Sequence, residues 1–313
     1  MISGTRNNPQ TFNPNKQNLS VMENSKSGNR PCNAKVKPSI SCGYLIAALL
    51  LTAMAGVSHG GTVVVTPGNM DGWAFLTTDA DGVAAPGNGN TAQMVTGPAT
   101  PPLGTGSAQL GTASGQGDTS SQIRNTAYAG TPLADLTVLS YSTYMTANNG
   151  QQFPYIELNI ATTGSGAPDD ILFFEPPYQT PTSGNPNLLN QGDSVLNTWQ
   201  TWNALAGGWW DNNGVLNPGT GVGSLADYLV TYPDATIENS SAGYGGVRLT
   251  VGFASPEDNF NGYVDNVTIG TTGGTTTYDF EPATVPEPTT AGCFLLGLGA
   301  LVYFQRFTQK RRS

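Results

Sequence analysis

Between residues 61 and 285 this chain has no lysine, no histidine and no cysteine. The single histidine, His59, and the three cysteines, Cys32, Cys42 and Cys293, all lie outside that stretch. Each absence removes a chemistry. Without histidine there is no Ser-His-Asp triad; without cysteine there is no thiol nucleophile and no disulfide. Without lysine there is neither a Schiff base nor a Gly-rich phosphate loop with its lysine. A zinc site built from imidazole or thiolate is excluded as well. Positive charge is scarce too. Of the 12 lysines and arginines, six lie at or before Lys37 and four at or after Arg306, leaving only Arg124 and Arg248 between. Nineteen carboxylates share that stretch. So acidic a surface repels nucleic acid, whose binding needs cations to displace counterions, and it repels anionic lipid head groups. It suits calcium or a hydrated, cation-rich polysaccharide matrix.

What the chain does have is two apolar runs, one near each end. Lys35 and Lys37 precede an apolar run over 43–57, followed by the small residues Ser58 and Gly60. This order predicts a secretory signal peptide over 35–60 with cleavage after Gly60. An uncleaved N-terminal anchor is the alternative, but the run is short for it. Cys42 stands before the run, whereas a lipoprotein cysteine would follow one. Residues 1–34 are a polar extension without hydrophobic periodicity. They read either as a long n-region or as a start-site extension, with Met22 as another start.

The second run, 289–305, is uncharged and ends in Arg306, Lys310, Arg311 and Arg312. Its length is at the low edge for a bilayer-spanning helix. Its cations would stay on the cytoplasmic side. A core helix would not be apolar on every face and finish in a basic cluster. Immediately before it stands Pro286-Glu287-Pro288. Over 285–313 the chain resembles the PEP-CTERM sorting signal of Gram-negative bacteria: Val-Pro-Glu-Pro, a membrane helix, then an Arg-rich end. Phe307 and Gln309 interrupt the basic cluster, a departure from that pattern. The resemblance implies that Pro286, Glu287 and Pro288 are read by an exosortase-type transpeptidase. It also implies that the helix holds the protein in the inner membrane until it is removed, and that the product goes to the cell surface or extracellular matrix.

The segment 61–284 reads as all-β. Short β-rich runs are separated by clusters of Gly, Pro, Asn and Asp. Candidate strands are 62–66, 72–78, 107–110, 122–128, 136–146, 155–162, 170–174, 195–202, 236–238, 246–254, 262–269 and 275–281. Alternation is plain in 155–160, where Ile156, Leu158 and Ile160 share one face. Residues 79–106 and 179–193 read as loops. One helix is expected over 225–230, capped by Ser224 with Asp227 as its box partner and Pro233 beyond the stop. No repeat or linker divides the segment, so a single β-sandwich is expected. The run Asp258-Asn259-Phe260-Asn261-Gly262-Tyr263-Val264-Asp265-Asn266-Val267, with Thr277-Tyr278-Asp279-Phe280-Glu281 after it, resembles the last strands of jelly-roll modules that accompany such sorting signals. That resemblance implies a galactose-binding-like or concanavalin-like, carbohydrate-binding-like sandwich.

Three constellations are candidates for chemistry. Trp202, Trp209 and Trp210, with Trp199 and Tyr178 near them in sequence, form a candidate glycan platform, since sugar rings lay their C–H faces on indoles; burial in the core is the alternative. Glu257, Asp258, Asn259 and Asp265 form a candidate structural calcium site, better than the Asp79-Ala80-Asp81-Gly82 loop, which lacks further ligands. Asp265 reads equally as an acceptor for loop amides. Glu157, Glu175, Asp265, Asp169 and Asp170 are the carboxylates from which a glycosidase pair would have to come. The expectation is therefore a non-catalytic exported surface or matrix protein contacting exopolysaccharide, with no cofactor beyond a structural calcium. The alternative is a secreted glycan-active hydrolase using carboxylates alone.

Overall fold

The alternation of 155–160 becomes the centre of one sheet. In the computed structural model, which describes residues 60–182, 185–216 and 221–282, that segment is a strand with Ile156, Leu158 and Ile160 fully buried. The polar extension 1–34, the signal segment up to residue 59 and the sorting tail 285–313, with Pro286, Glu287 and Pro288, lie outside the described residues. Among the described residues, no helix is long and apolar enough to cross a membrane.

Among the described residues, fifteen strands form two sheets, accompanied by one α-helix. In chain order the strands are β1 (Gly61–Val65), β2 (Trp73–Thr78), β3 (Thr91–Thr96), β4 (Gly106–Gly111) and β5 (Ser120–Asn125). β6 (Thr131–Pro132), β7 (Leu136–Ala147), β8 (Tyr155–Ala161), β9 (Asp170–Phe174) and β10 (Gln200–Asn203) follow. β11 (Trp210–Asp211), β12 (Thr236–Ile237), β13 (Val247–Gly252), β14 (Asn261–Thr271) and β15 (Gly274–Phe280) complete the set. The first sheet, of seven strands, runs β1-β15-β14-β4-β3, with β7 on the other edge of β14 and β10 beyond it. The second, of eight, runs β11-β9-β8-β13-β5-β2, with β12 and β6 attached at the end of β8. Pairing is antiparallel except between β1 and β15.

The two sheets bury one core between them, which makes the fold an all-β sandwich. Leu110, Leu139, Val264 and Ile269 come from the first sheet; Ile123, Ile156, Leu158 and Leu249 come from the second. Edge-to-face rings fasten the layers: Trp73 against Phe280 at 5.3 Å and Tyr141 against Phe174 at 6.0 Å. Such pairs add roughly 0.5–1.5 kcal/mol each beyond the area they bury. Helix α1 (Leu225–Thr231) starts as its sequence requires. Ser224 Oγ accepts from Asp227 N, and Asp227 accepts from Ser224 N, closing the capping box. Tyr228 then pins the helix to β9 by donating to Asp170 at 2.7 Å.

Three segments depart from the sequence reading. The expected strand 195–202 is extended only from Gln200. Asn197 takes φ 57°, a left-handed conformation that Asn tolerates and a strand does not, and Val195 and Leu196 are exposed. Within the expected loop 79–106 lies the edge strand β3, whose single buried side chain, Met94, gives no alternation to read. The third is β8 itself, where Tyr155, Glu157 and Asn159 are buried as well as the aliphatic face.

Candidate functional site

β-Pairing places one row of side chains across the outer face of the eight-stranded sheet. Trp210 lies opposite Phe173, Phe173 opposite Glu157, Glu157 opposite Arg248, Arg248 opposite Arg124, and Arg124 opposite Ala74. Directly opposed residues point to the same face, so the row is contiguous on the side away from the shared core. A second row, one pleat along, carries Tyr155, Thr250, Gln122 and Leu76 in register. Glu175 follows β9 in extended conformation, φ −114° and ψ 126°, two residues beyond Phe173 and so on the same face.

Charge is concentrated here. Arg248 Nη2 closes an ion pair on Glu157 Oε2 at 2.5 Å, with both side chains nearly inaccessible. Arg124, 6 % exposed, closes no ion pair among the described residues; its guanidinium carbon lies 5.4 Å from the centre of the Tyr244 ring. Burial first, and then the neighbouring Arg248, push the Arg124 guanidinium down to about 9. Glu175 is pushed up to about 7 by burial, with the Glu157 carboxylate adding to the rise. The Trp210 N–H approaches Glu175 and partly offsets that rise without completing a well-formed hydrogen bond.

The same face holds most of the buried polar atoms that lack a protein partner. Among the described residues they are Gln122 Oε1, Thr250 Oγ1, Arg124 Nε, Arg248 Nε and Glu157 Oε1. Such atoms carry a desolvation cost of about 1–3 kcal/mol each unless water or another polar group meets them. At one end of the row Trp210 and Phe173 stack in parallel, 3.9 Å apart and 8° from coplanar, both half-buried.

The tryptophan platform expected from sequence is corrected. Trp202 and Trp209 are fully buried core residues: Trp202 Nε1 donates to Thr143 Oγ1 at 2.9 Å, and Trp209 Nε1 donates to the Ala204 carbonyl at 2.8 Å. Neighbours along an extended chain face opposite ways, so burying Trp209 turns Trp210 outward. Trp199 lies apart, donating to the Pro98 carbonyl at 3.0 Å and packing on Tyr144. Of the platform residues only Trp210 reaches the face, and its ring partner is Phe173, which the sequence reading did not single out.

The candidate calcium set is also not brought together. Asp265 sits at a β-bulge in β14 where Asn266 takes φ 53°, and it is turned inward to accept from Leu103 N at 3.0 Å and Phe280 N at 3.1 Å. Burial, followed by the neighbouring Asp279, pushes Asp265 up to about 7 against those hydrogen bonds. Asp258 instead accepts from Ser255 N and Asn149 Nδ2, while Glu257 and Asn259 are exposed. Among the described residues, no group of three or more His, Cys, Asp or Glu side chains is arranged to hold a metal ion.

Asp169 and Asp170 are structural acceptors. Asp169 bonds Thr162, and Asp170 takes the Tyr228 hydroxyl and the Ile171 amide. A shallow groove of about 450 Å³ beside β7 and β10, lined by Thr137, Ser140, Thr201 and Asn203 among others, contains no ionisable side chain. The charged outer face of the second sheet is therefore the candidate site. No family model matches this chain, and no curated protein matches it.

Proposed function

We propose that this chain is an exported, non-catalytic surface or matrix protein of jelly-roll-like, carbohydrate-binding-like architecture. It contacts exopolysaccharide through the outer face of its eight-stranded sheet. The observation that carries the reading is the half-buried Trp210–Phe173 stack set beside a row of buried polar atoms without protein partners. An aromatic face offers a sugar ring its C–H contact, and unpaired donors and acceptors beside it offer its hydroxyls hydrogen bonds. Export rests on the signal segment 35–60. Sorting rests on Pro286-Glu287-Pro288, the run 289–305 and the basic end, read by an exosortase-type enzyme. The test has two parts. Mass spectrometry of protein recovered from cell surface and medium is expected to find the N-terminus near Gly61 and the chain ending close to the Pro-Glu-Pro motif. The purified protein is expected to be retained on polysaccharide without releasing reducing ends.

A specific observation favours a second reading, a glycan-active hydrolase. Glu175, one residue past β9, is diagonal to Glu157 on β8, a relation that sets Cβ atoms somewhat closer than about 7–8 Å. One is paired with Arg248, while the other is pushed up to about 7 by burial. Two carboxyls in such different surroundings are what acid and base roles require. Reducing-end release that disappears in both Glu157→Gln and Glu175→Gln would select this reading over the first.

A further inference from the structure

We infer that the glycan held on this face is acidic, and that Arg124 is the residue that takes its carboxylate. The inference rests on the glycan-contact reading above and narrows its ligand. Three formal charges lie next to one another in register on β5, β13 and β8: Arg124, Arg248 and Glu157. One carboxylate serves two guanidinium groups. Glu157 lies directly opposite Arg248 and is bonded to it at 2.5 Å, whereas Arg124 is one strand further away. Two strand spacings, about 10 Å, separate the backbones at Glu157 and Arg124. Arg124 is left as a buried cation beside a second cation.

A buried charge is costly unless paired and hydrogen-bonded. Among the described residues the aromatic face over Arg124 is that of Tyr244, 5.4 Å away, and a cation–π contact contributes roughly 0.5–2 kcal/mol, short of an ion pair. Among the described residues Arg124 Nε has no hydrogen-bond partner. Guanidinium matches a carboxylate through two parallel N–H···O bonds, so the missing partner has the chemistry of a carboxylate. The overall acidity of the domain argues the same way. Nineteen carboxylates between residues 61 and 285 would repel polyanions in general, so the only two cations of that stretch, set side by side, act as a local selector.

The other end of the row fixes the size of the ligand. Three strand spacings separate Arg124 on β5 from Phe173 on β9, about 14 Å. A molecule that packs against the Trp210–Phe173 pair while presenting a carboxylate to Arg124 spans more than one sugar ring. The ligand class is therefore an oligosaccharide that carries carboxylates, with an oligogalacturonate as its probe.

The test is calorimetric titration of the purified full chain with an oligogalacturonate and with its carboxyl-reduced, neutral counterpart. The acidic oligomer is expected to bind at least tenfold more tightly. In Arg124→Gln that preference is expected to vanish, the acidic oligomer binding no more tightly than the neutral one. Equal affinity of the two oligomers, or a preference that survives Arg124→Gln, would overturn the assignment of Arg124 and leave glycan contact standing. No binding of either oligomer, nor of any other polysaccharide, would remove both.

Discussion

Arg124 and Arg248 lie directly opposite each other on β5 and β13, two like charges in register on one buried sheet face. Like charges in that relation destabilise a sheet, and among the described residues only Arg248 has a carboxylate to answer it. The two arginines therefore differ in what they do for the fold.

That difference gives the first prediction. Arg248→Met strands the Glu157 carboxylate in a dry site and should lower stability to urea by about 3–5 kcal/mol. Arg124→Met removes a desolvated cation that repels its neighbour and should leave stability unchanged or raised. Equal losses in the two variants would contradict the asymmetry.

The adjacent tryptophans should separate in the same manner. Trp209→Ala opens a cavity in the core and should cost about 3–5 kcal/mol of stability. Trp210→Ala removes a half-buried ring from the outer face and should cost less stability but abolish polysaccharide retention. Chemical denaturation and affinity electrophoresis together check both halves.

The pH dependence of stability is expected to run against the usual acid denaturation. Burial raises Asp170 to about 6 and both Glu175 and Asp265 to about 7, all above the ordinary carboxyl range. The folded protein then binds more protons than the unfolded chain between about pH 4 and pH 7. The destabilising contribution of these groups is absent below that window, grows through it, and is complete above it. The melting temperature should fall as pH rises from about 4 to about 7, and Asp265→Asn should flatten the slope. A melting temperature that climbs steadily through this window would refute the assignment.

At α1, Ser224→Ala removes the hydroxyl that accepts the Asp227 amide and should cost about 1 kcal/mol, whereas Ser224→Gly should cost only a few tenths. Urea unfolding of the two variants reads the difference.

How much of this was legible in the chain depends on range. β9 and the Ser224–Asp227 box were readable because their determinants lie within a few residues: a β-rich run after Pro168 and two aspartates, and an S-x-x-D spacing. β3 was not, since an edge strand with one buried residue carries no alternation. The charged face was out of reach for a different reason. Arg124 and Arg248 are neighbours through the pairing of β5 with β13, and Glu157 joins them through β8, relations that strand order creates and local sequence does not encode. Glu157 looked like the solvent half of an alternating strand, because alternation reports which residues face the core and not what covers the other side. Adjacent Trp209 and Trp210 signalled that one of them would turn outward, but the partner ring, Phe173, arrives from β9.

The account stands or falls on whether the outer face of the eight-stranded sheet holds polysaccharide. The direct measurement is the affinity of the purified protein for a polysaccharide panel, compared among wild type, Trp210→Ala and Thr201→Ala in the uncharged groove of the other sheet. We expect binding in wild type and Thr201→Ala, with a loss of at least tenfold in Trp210→Ala at unchanged secondary structure. Undiminished retention by Trp210→Ala would contradict it.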